Sequence, residues 1–170
     1  MLKKTETKIL MGIAVLAAVC MWGSPSYAAV NFTLTITPST ISFPDANPTT
    51  TAQIPANSSV AIKVTTSYAT NTNWSVHFLA NGDLRNSVGT STIPIANITW
   101  TATLTGNSCL QGCSCVAGTM SSTAAQDVIR GRGNTPTNGF NCNTNFLLKN
   151  QWGYITGSYT QTITVVTASP

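Results

Sequence analysis

Charge is scarce in this chain: Asp, Glu, Lys and Arg together make up 7% of it. Glutamate is absent after Glu6, and His77 is the only histidine. Acid–base catalysis would have to be built from His77 and the three aspartates Asp45, Asp83 and Asp127. Beyond Ala28, Lys63, Arg85, Arg130, Arg132 and Lys149 stand against those aspartates, a net charge of +2. With no basic stripe, nucleic acid is excluded as a partner. No Gly-x-Ser-x-Gly occurs, which removes one common frame for a nucleophilic serine. No Cys-x-x-Cys occurs, which argues against a thioredoxin-like redox site. After Ala29 no apolar run approaches the roughly 20 residues of a membrane span, so no stable membrane insertion is expected there.

What is present begins with an export signal. Lys3, Lys4 and Lys8 precede a mostly apolar run from Ile9 to Trp22, and Ser26 and Ala28 are small residues at the −3 and −1 positions of SPSYAA. This is the pattern of a signal peptide over 1–28, cut after Ala28. It predicts a secreted chain in the periplasm, at the cell surface or outside the cell, with 29–170 as a single domain. Abundant Thr, Ser and Asn would wet its surface, and few Lys and Arg residues leave few tryptic sites.

The mature part reads as strands. Val30, Phe32, Leu34 and Ile36 alternate with polar residues, the period of a half-buried strand. Val60, Ile62 and Val64 repeat the pattern. Trp74, Val76 and Phe78 face one way, with Ser75 and His77 on the other face. A long candidate covers Ile93 to Leu104, short ones cover Ile41 to Phe43 and Phe146 to Leu148, and Tyr159 to Val166 closes the chain. The one stretch with a trace of helical spacing is Ser121 to Arg130, where Ala124, Ala125 and Val128 would line a turn. Short strands parted by Gly, Pro and Asn turns predict an all-β fold, an antiparallel β-sandwich of about seven strands. The zone 106–145 is too long for an ordinary loop and reads as an insertion with a small strand pair of its own.

That zone holds all four cysteines beyond the signal: Cys109, Cys113, Cys115 and Cys142. An even number in an exported chain reads as disulfides. A Cys113–Cys115 bridge would be strained, so Cys142 is expected to pair with Cys113 or with Cys115, and Cys109 with the one left over. Zinc would want paired knuckles at both ends, and Cys142 stands alone. The cysteines are therefore a staple, and no residue is assigned to a metal, a cofactor or catalysis. His77 reads as structural. Arg130-Gly131-Arg132-Gly133 reads as a solvated loop. Trp152 and Tyr154, bracketing Gly153, are the candidate ligand platform.

Two stretches carry a resemblance. "ITPSTISFPDANP" resembles the opening, and "WGYITGSYTQTITVVTASP" the close, of secreted bacterial sandwich proteins of the spore coat U and archaic fimbrial type. The second has their Gly-x-Tyr entry into a Thr- and Val-rich final strand. The chain departs from them in having no cysteine from Ser39 to Phe43. The resemblance implies an immunoglobulin-like sandwich and a non-enzymatic structural role at the cell surface, as a fimbria-like or coat subunit. Expected partners are copies of itself or related subunits, with Val30, Phe32, Leu34 and Ile36 as a possible donor strand for a neighbour's sheet edge. The alternative is a secreted ligand- or carbohydrate-binding module using Trp152 and Tyr154.

Overall fold

The computed structural model describes 31–67, 72–106, 109, 111–155 and 157–168, together with the backbone of 9–14. Lys3, Lys4, Lys8, the cleavage site at Ala28, and Ala29 and Val30 lie outside the described residues. Fourteen strands occur among those described. They are β1 (Ile9–Ala14), β2 (Asn31–Thr37), β3 (Thr40–Phe43), β4 (Gln53–Pro55), β5 (Val60–Ser67), β6 (Asn73–Ala80) and β7 (Leu84–Asn86). There follow β8 (Thr92–Ile93), β9 (Ile98–Leu104), β10 (Cys113–Cys115), β11 (Gly118–Thr119), β12 (Gln126–Arg132), β13 (Phe140–Lys149) and β14 (Tyr159–Ala168).

Two sheets face each other as a β-sandwich. The first runs β10-β12-β6-β14-β1-β3, with β7 and β8 appended beside β14; the second runs β11-β9-β13-β5-β2, with β4 beside β13. Pairing is antiparallel except that β1 lies parallel to β14. Alternation puts Val60, Ile62 and Val64 of β5 and Trp74, Val76 and Phe78 of β6 into one shared core. Phe78 of the first sheet meets Trp100 of the second edge-on at 5.4 Å between ring centres and Phe146 at 5.7 Å, an aromatic seam that joins the layers.

The structure departs from the sequence expectation in instructive places. The long candidate from Ile93 breaks at Pro94 into a one-turn 3-10 helix (Ile95–Asn97), and β9 begins at Ile98. Leu104, expected on the inward face, is exposed where β9 runs past the core. Segment 106–145 is woven into both sheets: β12 lies between β6 and β10, and β13 is a central strand of the second sheet. Strand β12 occupies the stretch with helical spacing because a bulge at Asp127/Ile129 turns both Val128 and Ile129 inward, breaking the two-residue period.

The Arg-Gly-Arg-Gly run is strand and turn rather than free loop. Gly131 stands directly opposite Trp74 in the β12–β6 register, and the indole ring lies over it. The indole N–H donates to the carbonyl of Gly133 at 2.9 Å, and Gly133 turns the chain at φ +67°. Trp100 repeats the device, lying over Gly118 and donating to the Val116 carbonyl at 2.8 Å. A Cβ on residue 131 would overlap the rigid, buried indole of Trp74. The Gly131→Ala variant should therefore lose about 1–3 kcal/mol of stability. Urea denaturation reads this directly; an unchanged midpoint would contradict the packing.

Candidate functional site

The two disulfides are Cys109–Cys113 and Cys115–Cys142. The first closes a tight ring whose turn is made at Gly112, at φ +94°. The second ties β10 of the first sheet to β13 of the second, with Cys142 fully buried. Among the described residues no helix is long and apolar enough to cross a membrane. The disulfides are compatible with a secreted or extracellular protein.

Strand β1 occupies a slot. It is in register with β14 from Leu10↔Thr160 to Ala14↔Thr164, and with β3 from Ile9↔Phe43 to Gly12↔Thr40. Ile9, Met11 and Ile13 stand at the register positions of Phe43, Ile41 and Ile163, and Phe43, Ile41 and Ile163 are buried. Strand β1 is the only sheet partner of β3 among the described residues. A further link ties β3 to a loop: Asn57 donates its backbone N–H to the Ser42 carbonyl at 2.8 Å, and its side-chain oxygen accepts from the Ser42 N–H at 2.9 Å.

The proposed donor residues lie in β2, Val30 excepted. That strand pairs with β5 over all seven residues and forms the edge of the second sheet. Phe32, Leu34 and Ile36 are only half-buried there, and Phe32 meets Trp74 edge-on at 6.0 Å. At Pro38 the chain leaves this sheet, and β3 continues in the other.

Trp152 and Tyr154 line a cavity of about 190 Å³ with Pro44, Pro48, Ile54 and Leu148 around it. Trp152 is 74% exposed, whereas Tyr154 is half-buried. Burial raises the Tyr154 phenol above its ordinary pKa, against the lowering effect of the Asn97 side-chain amide, which donates to it at 2.5 Å. The phenol is thus kept neutral and hydrogen-bonded beside an exposed indole. Both residues line this one cavity, and the apolar floor beneath them comes from distant strands.

Comparison with protein-family models, with curated proteins and with solved structures finds no match.

On the outer face of the first sheet, His77 gathers two neighbours. Ser75, two residues before it on β6, places Oγ 2.7 Å from the imidazole Nε2. Asp127, directly opposite His77 on β12, places Oδ1 2.7 Å from Nδ1. That approach is a close contact off the N–H axis, since Nδ1 has no aligned hydrogen-bond partner. Arg130 holds the other carboxylate oxygen of Asp127 through Nε at 2.5 Å. The shared face of Ser75 and His77 was readable from strand alternation. Asp127 was not, because only the β12–β6 pairing brings it there.

Proposed function

We propose that this chain is an exported surface subunit of a fimbria-like or coat assembly, its role there structural, acting in the periplasm, at the cell surface or outside the cell. The observation that carries this reading is β1. Its residues belong to the segment that reads as a signal peptide, yet they fill the position between β3 and β14. Cleavage after Ala28 would leave that position vacant, with Ile41, Phe43 and Ile163 along its walls and two open backbone ladders. Such an edge recruits an extended strand, because main-chain hydrogen bonds supply affinity and alternate side chains fill the pockets.

The strand best suited to it is β2 of a second copy, or of a related subunit. At home β2 pairs on one side only and half-buries Phe32, Leu34 and Ile36. In the slot it would pair on both sides. Exchange therefore gains a ladder and apolar burial for the assembly. The role is mechanical and needs no bond made or broken. The test is the oligomeric state of the chain from Ala29 onward, by size exclusion and electron microscopy. Multimers or filaments are expected; a monomer at high concentration would overturn the proposal.

A second reading has the exposed indole in its favour. Trp152 beside the Tyr154 cavity would suit stacking against a sugar ring, making the protein a carbohydrate-binding module. Binding on a glycan array that is lost in Trp152→Ala, with the fold intact, is the expected result of this reading. Equal binding by the variant would remove it.

A further inference from the structure

We infer that Ser75 is an activated nucleophile, with His77 as its general base and Asp127 as the residue that positions the imidazole. This goes beyond the assembly role and does not depend on it. The connectivity carries it: the hydroxyl is hydrogen-bonded to Nε2 at 2.7 Å, and the carboxylate stands 2.7 Å from Nδ1, off its N–H axis, where a small turn of the imidazole would align it. That is the order of a serine–histidine–aspartate triad, which is recognised by geometry and roles rather than by chain position. The placement agrees with the roles. Ser75 lines an open depression of about 500 Å³ together with Asp127, Arg130, Asn73 and Ala168. His77 and Asp127 are mostly shielded, with side chains 18% and 24% exposed, while the Arg130 side chain is 66% exposed.

The bulge in β12 makes this arrangement possible. By taking Val128 and Ile129 into the core together, it brings Asp127 and Arg130 to the same outer face, three residues apart. Arg130 clamps Asp127 through both Nε and Nη2, and its side chain borders the depression.

The substrate class is a small, activated carboxylic ester. Ser75 Oγ would attack the carbonyl carbon while its proton passes to His77 Nε2. The new Oγ–C bond forms as the carbonyl π pair moves to oxygen, where the Arg130 guanidinium offers positive charge. The oxyanion then collapses, the C–O bond to the alcohol breaks, and the His77 proton leaves with that alcohol. Water, deprotonated by His77, releases the acid and restores Ser75. Backbone amides of β6 are engaged with β12 and β14 on either side. The oxyanion is therefore served by Arg130 rather than by β6 amides, and turnover should be slow, so that acylation of Ser75 is the step to read.

The experiment treats the whole mature protein with a fluorophosphonate probe and maps the adduct by mass spectrometry. One adduct is expected, on Ser75, and it should be absent from Ser75→Ala. The rate should fall about a hundredfold in His77→Gln, the usual scale of a general base, and fall in Asp127→Asn as well. Circular dichroism shows whether the variants keep the fold. The wild type also decides without them: labelling of Ser75 no faster than the exposed Ser114 overturns the inference, as does full-rate labelling in a folded His77→Gln protein.

Discussion

A protein shortened to begin at Pro38 should be rescued by a synthetic peptide of residues 29–37, and rescued at the slot between β3 and β14. Such a chain lacks both β1 and β2. It keeps the buried residues of β5, β6, β9, β13 and β14, which make up most of the core, so a soluble but incomplete fold is expected. Two edges are then open to the peptide. One is the home edge along β5, where Phe32, Leu34 and Ile36 would be half-buried. The other is the slot, walled by Ile41, Phe43 and Ile163, where a strand finds a ladder on each side. Peptide at a hundred times its dissociation constant should stabilise the fold by about 2.7 kcal/mol. For a chain of this length that is roughly a 10 °C rise in melting temperature. Hydrogen exchange separates the two edges. Slot binding protects amides in Thr40–Phe43 and Tyr159–Ala168; home binding protects those in Val60–Ser67 alone. Protection confined to β5, or no thermal shift, would dismiss strand donation.

The same residues explain why part of this architecture could be read in advance and part could not. Strands β2, β5 and β6 announce themselves because hydrophobic and polar residues alternate cleanly and locally. Strand β13 shows only its last third, Phe146 to Leu148, to such a reading. Its inward residues further back are Phe140, Cys142 and Thr144, and the last two do not count as apolar in a pattern. Thr144 is nonetheless fully buried, its hydroxyl donating to the Val60 carbonyl at 3.1 Å. Strand β12 hides behind its bulge, and β1 hides behind the signal pattern, whose apolar run has no two-residue period to betray a strand. The contacts that make the candidate sites are long-range throughout. Asp127 reaches His77, and Leu148 reaches the floor beneath Trp152, only because the sheets pair as they do.

The cysteines show the same division, and they set the last expectation. The spacing of Cys109, Cys113 and Cys115 narrowed the staple to two schemes, and the choice between them belongs to the fold. Cys113 turns back to Cys109 through the Gly112 turn, where the Gly112 N–H reaches the Cys109 carbonyl at 3.2 Å. Cys115, one step further along β10 on the same face, is left to cross to Cys142 on the opposite sheet. The two bridges should then differ sharply in worth. In the loop-entropy picture, joining residues 27 apart restrains the unfolded chain by about 3.5 kcal/mol, and joining residues 4 apart by about 2 kcal/mol. The longer bridge also holds the sheets together at a buried sulfur, so its removal leaves space in the core as well. The Cys115→Ala/Cys142→Ala double variant should accordingly lose at least 3.5 kcal/mol or so. The Cys109→Ala/Cys113→Ala pair should lose about half as much, since its loop is short and Cys113 lies near the sheet edge. Denaturant titration under non-reducing conditions ranks them. If the short ring proves the costlier to remove, the bridge between the sheets is not what staples this sandwich.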